Sequence, residues 1–138
     1  IYQPKNSDNE EKSAELFKEF ASEINMNESD SDIVFQWIID TKAHKGIPGN
    51  ENNDLNLFID MDLSIFGASR EDYIQYTKDI RQEYIHYNDD AFRKGRAHVM
   101  KHFLPSENEF IFKSQYFIDK LEKQAINNIK WEIEELEQ

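Results

Sequence analysis

The chain has 138 residues, among them ten Phe, six Tyr and no Cys, and its 28 Asp and Glu against 16 Lys and Arg leave a net charge of −12. That length suits one domain burying about two-thirds of its unfolded surface, the aromatic content argues against disorder, and without Cys there is neither a disulfide framework nor a thiolate metal site. The acidic balance argues against nucleic acid and basic membrane-surface partners, and no apolar run nears the ~18 residues of a transmembrane span, so the expected setting is the cytoplasm.

With four Gly, three Pro and few Val or Thr, strands find little support, and the expected fold class is all-α. Residues 9–26 predict a first helix, with Ala14, Phe17, Phe20, Ala21 and Ile24 at helical spacing. Residues 29–32 offer N-caps for a second helix carrying Ile33, Val34, Trp37 and Ile38, which should stop near Gly46, with Pro48 just beyond. After a polar loop over 49–53, a short third helix capped by Asp54 runs to about Phe66, before Gly67. Ser69 followed by Asp72 resembles a capping box and starts a fourth helix ending near Asn88. A fifth occupies 90–104, ahead of Pro105, and a long last helix covers about 114–136. The expected organisation is a single helical domain over 1–138.

Helical wheels place several polar residues where apolar ones belong. In the third helix Leu55, Phe58, Met61, Ile65 and Phe66 form one arc; Asp62 falls near its middle, whereas Asp60 lies on the opposite side, because residues two apart do not share a face. His44 and Thr41 join the arc of Ile33, Val34 and Trp37, and Glu10 and Ser13 sit over Phe17 and Ala21. Arg81 shares a face with Tyr73, Ile74 and Tyr84, and Arg96 with Phe92, Met100 and Phe103. A buried ion must be paired, metal-bound or neutralised. Five ionisable side chains on five core-facing arcs therefore suggest a polar centre, in which a carboxylate and an imidazole suit a divalent cation and arginines suit a phosphate.

Structural roles compete with that reading. His44 near a helix end can compensate the dipole, as can Glu10 in a first turn. Thr41 and Ser13 can bond to the preceding turn. Arg81 and Arg96 can be buried salt bridges. His98 and His102 lack the Glu of a zincin helix and read as a solvated face, and the acidic tail of Glu132, Glu134, Glu135 and Glu137 reads as solvated helix surface.

The segments Asn9-Glu10-Glu11-Lys12-Ser13-Ala14, Thr41-Lys42-Ala43-His44, Asp60-Met61-Asp62-Leu63-Ser64-Ile65-Phe66-Gly67, Arg81-Gln82-Glu83-Tyr84 and Gly95-Arg96, followed by Phe103-Leu104-Pro105, run in one order along the chain. Together they resemble the predicted metal-dependent phosphohydrolases of the HD superfamily, in particular a small bacterial group with NE-x-x-SA and D-x-DL-x-x-x-G segments. The resemblance implies an HD-type helical bundle holding a divalent cation and acting on a phosphate ester or nucleotide. It implies that Asp62 is a metal ligand, with Asp60 the lesser claimant and His44 an auxiliary ligand or phosphate contact. Glu10, Arg81 and Arg96 would shape the catalytic site.

The His-Asp doublet of that superfamily does not occur in the chain; the resemblance places it just ahead of the segment matching Ile1-Tyr2. The expectation is a domain incomplete at its N-terminus and inactive by itself. Its uncovered core surface would make it dimerise or stay bound to the missing piece. The alternative, from another class, is a non-catalytic all-α interaction module whose buried polar residues are structural pairs. It expects Arg81 or Arg96 within hydrogen-bond reach of Asp62 or Glu10, no cation and no open cavity.

Overall fold

The computed structural model describes residues 7–43, 53–107 and 109–138, and among these every regular element is helical. The chain divides into two compact units, Ile1–Ile47 and Pro48–Gln138.

The first unit is a helical hairpin. Helix α1 (Asn9–Glu23) carries Glu10 and Glu11 in its first turn, where negative charge meets the positive end of the helix dipole. It ends where Asn25 takes a left-handed backbone, φ 53°, a conformation Asn tolerates better than most residues. Helix α2 (Glu28–Asp40) starts at Asn27, whose side chain accepts the Ser29 N–H at 2.8 Å, and tightens into a 3₁₀ turn over Thr41–Ala43. The two helices pack on each other through small residues: Ala14, Ala21 and Ser31 are buried.

The second unit holds helices α3 (Asp54–Leu63), α4 (Arg70–Glu83), α5 (Asp89–Phe103) and α6 (Gln115–Leu136), with a 3₁₀ turn over Ser64–Gly67 after α3. The cap of α3 is Asn53, which accepts the Leu55 N–H at 2.7 Å, one residue ahead of the expected Asp54. Ser69 caps α4 by accepting the Asp72 N–H at 3.2 Å, while its hydroxyl donates to the Asp72 carboxylate at 2.6 Å, so the Ser69–Asp72 signal marks the true start. Asn88 caps α5 through the Ala91 N–H.

Helix α6 is the spine: the 3₁₀ turn and α5 lie along it, and α4 touches both the turn and α6. The turn packs closest at Gly67, where a Cβ would stand 2.5 Å from that of Leu121, so no larger residue fits without a shift. Asn128 secures the same contact by donating to the carbonyls of Phe66 at 2.8 Å and Ala68 at 2.9 Å. Around this spine Leu55, Ile59, Leu63, Phe66, Tyr73, Met100, Phe112 and Ile129 form a buried core. No described helix is long and apolar enough to cross a membrane.

Candidate functional site

The Asp60-Met61-Asp62 segment reverses the expectation from the wheel. Asp60 is fully buried and Asp62 is exposed, as is Met61. The inward face of α3 runs through Leu55, Asn56, Ile59, Asp60 and Leu63, residues linked by spacings of three and four. Two causes misdirect the wheel. Helix α3 is apolar nearly all round, and Ile65 and Phe66, which anchored the expected arc, belong to the 3₁₀ turn, where each residue advances by about 120° rather than 100°.

Asp60 has taken on a structural task. Its Oδ1 accepts the Lys113 N–H at 2.7 Å, and its Oδ2 accepts the Ser114 N–H at 2.7 Å and the Ser114 hydroxyl at 2.5 Å. Ser114 is the N-cap of α6 but makes no cap bond of its own. The carboxylate on α3 thus fixes the chain entering α6, beside the positive end of that helix's dipole. Glu122, also buried, accepts the N–H groups of Ile111 at 2.8 Å and Phe112 at 3.2 Å. Four consecutive backbone donors, 111–114, are therefore satisfied by two buried carboxylates instead of water.

Arg96 is likewise committed. Its Nε donates to Glu132 at 2.7 Å and an Nη donates to the Tyr76 hydroxyl at 3.2 Å; its side chain is 12% exposed and that of Glu132 5%. The Tyr73 hydroxyl donates to the other Glu132 oxygen at 2.5 Å. Burial opposes the charged form of Arg96, but the hydrogen bond to Glu132 and the neighbouring Tyr76 outweigh it, holding the guanidinium above its ordinary range. Burial, then the Glu132 charge, raise the Tyr73 phenol as well. The result is a cation, an anion and two phenols locked among α4, α5 and α6.

Arg81 closes the chain between α4 and α5. It donates to the carbonyls of Tyr84 at 3.0 Å and Tyr87 at 3.2 Å, meets Asp89 at 2.6 Å, and lies 4.8 Å from the Phe92 ring centroid. In the first unit Glu10 is half-buried, 3.9 Å from Lys42, whose closer partner is Glu11 at 2.6 Å. Glu11 is held below the usual carboxylate range by that hydrogen bond, and Lys42 above its own range for the same reason. Ser13 and Thr41 bond back to the carbonyls of Asn9 at 2.8 Å and Ile38 at 2.7 Å. His44 lies outside the described residues.

The marked residues of the second unit thus have separate partners: Ser114 for Asp60, Asp89 for Arg81, Glu132 for Arg96. Buried ion pairing of the kind the interaction-module reading invokes is present as Arg96 with Glu132. The acidic tail is corrected too: Glu132 is buried at 4% exposure, not solvated. Its signal was legible, since Glu122, Ala125, Ile129 and Glu132 share one helical face.

Among the described residues no group of three or more His, Asp or Glu is placed to hold a metal ion. With Asp60 occupied by three donors, the marked residues of α3 fall short of the three protein ligands such a site takes. The described residues therefore do not by themselves fit the cation that the resemblance implies. Comparison of the chain with family models, curated proteins and solved structures gave no match.

Proposed function

We propose that the chain is part of a cytoplasmic metal-dependent phosphohydrolase of the HD type, acting on a phosphate ester or nucleotide, and that these 138 residues alone are inactive. What supports this reading is the ordered run of segments that resemble the family, from Asn9-Glu10-Glu11-Lys12-Ser13-Ala14 to Gly95-Arg96. Asp60 is spent on the entry to α6 and Asp62 is exposed, so of the two carboxylates the proposal assigns Asp62 to the metal. On the resemblance, the remaining ligands belong to segments ahead of Ile1. Arg81 and Arg96 then shape the domain without touching substrate.

The test is made on the complete protein carrying those segments. Asp62→Asn should remove bound metal and lower phosphatase turnover about a hundredfold or more, with little change in melting temperature, because the side chain is exposed. Unchanged metal content and turnover would sink the assignment. The Arg96–Glu132 pair favours a second reading, a non-catalytic helical interaction module with structural ion pairs. That reading gains if the segment upstream of Ile1 carries no His-Asp doublet.

A further inference from the structure

We infer that the groove between α4 and α5 binds a small planar aromatic ring, neutral or anionic and about the size of a nucleobase. The two helices follow each other in the chain, yet α5 is packed along α6 and α4 against the Ser64–Gly67 turn and α6. A cavity of about 370 Å³ opens between them, within the range of about 300–1,000 Å³ that small-molecule sites occupy. Tyr84, Tyr87 and Phe92 gather at one end, with the Tyr84 ring centroid 6.2 Å from each of the other two, and Ile80 and Val99 extend the apolar wall. Faces and edges of this kind favour a flat π-system. Arg96 is the one charged residue among the described residues of the lining, and Glu132 offsets it, so the wall neither demands a strong anion nor attracts a cation.

Gly95 points the same way. It lies inside α5, where glycine weakens a helix relative to alanine. Gly67 has a packing reason to be glycine, with Leu121 2.5 Å from its Cβ position; at Gly95 a Cβ meets nothing within 4 Å, and its backbone is not left-handed. Neither contact nor conformation calls for glycine there. Gly95 lines the cavity, and a side chain at that point would project into the space a ligand needs.

The inference concerns ring recognition and is independent of the proposed reaction. It is tested on the 138-residue chain by following backbone amide resonances during titration with adenosine, guanosine and indole-3-acetate, with inorganic phosphate as a further arm. At least one ring compound should shift the amides of Tyr84, Phe92, Gly95 and Val99 saturably, and phosphate should not. Gly95→Leu should weaken that binding about tenfold or more. Gly95→Ala, which adds only a methyl group, should weaken it less and raise the melting temperature by about 2–5 °C. The inference is overturned if no ring compound shifts those amides, if phosphate alone reproduces the shifts, if both variants bind as the parent does, or if Gly95→Ala lowers the melting temperature.

Discussion

The two units use charge in opposite ways. Among the described residues of Ile1–Ile47 the buried positions are small and neutral (Asn9, Ala14, Ala21, Ser31), and ion pairs such as Lys18–Asp32 and Lys42–Glu11 lie in the water-exposed layer. Among the described residues of Pro48–Gln138 three carboxylates, Asp60, Glu122 and Glu132, are almost wholly removed from water. Two of them accept backbone N–H groups, and the third accepts from Arg96 and Tyr73. A buried carboxylate with its donors in place has traded hydration for fixed dipoles, whereas an exposed one has given up little and gained little. The same residue types are thus fold-determining in one unit and near-neutral in the other.

The largest effect that separates the units belongs to Asp60. Asp60→Ala leaves the N–H groups of Lys113 and Ser114 and the Ser114 hydroxyl without their acceptor. The expected loss is about 3–5 kcal/mol, as for other broken buried charge contacts. Chemical denaturation measures it, and amide exchange should place the first opening at residues 111–118. A loss below about 1 kcal/mol would put Asp60 with the surface charges of the first unit and erase the contrast.

Tyr73 sharpens it at high pH. Its phenol is raised above the ordinary 10.0 by burial first, then by the charge and hydrogen bond of Glu132. The folded state holds that proton more tightly than the unfolded chain, so its contribution is fully present below pH 10 and is lost as pH climbs above it. Tyrosinate absorbance should therefore show Tyr73 ionising only together with unfolding. Tyr73→Phe should destabilise the chain at neutral pH by about 1.5–3 kcal/mol, the range of a hydrogen bond to a charged group, and flatten the alkaline loss. If every tyrosine ionises near pH 10 in a chain that stays folded, the buried network is wetter than its geometry implies.

Helices and their starts were readable because they depend on neighbours in the chain: Ser69 with Asp72, and the spacing of Ala14, Phe17 and Ala21. Which carboxylate of Asp60-Met61-Asp62 turns inward was not readable. It depends on the switch to 3₁₀ geometry at Ser64 and on donors at 113 and 114, more than fifty residues away. Arg96 was recognisable as core-facing from Met100 and Phe103, and its partner Glu132, though it sits in a run of acids, was legible from the face it shares with Glu122, Ala125 and Ile129. Glycine shows the same limit. In sequence Gly67 reads only as the residue after a helix and Gly95 only as part of a resembling segment, and the space around each tells a packing glycine from one that borders a cavity.

The smallest effect completes the contrast. Lys18 pairs with Asp32, and its ammonium also lies 5.9 Å from the Phe35 ring centroid; the two charged side chains are 35% and 66% exposed. Lys18→Met removes the charge while keeping length and helix propensity. What is lost is a pair already solvated, and Asp32 can return to water, so the change in stability should stay within about 0.5 kcal/mol. Salt screens exposed charges within about a Debye length, so that small difference should shrink between low and high ionic strength, while the loss from Asp60→Ala persists. Amide exchange of α1 and α2 reads the first unit directly. A loss above about 1 kcal/mol on Lys18→Met that survives high salt would mean that the hairpin also relies on desolvated charge, and the two units would then differ in core size alone.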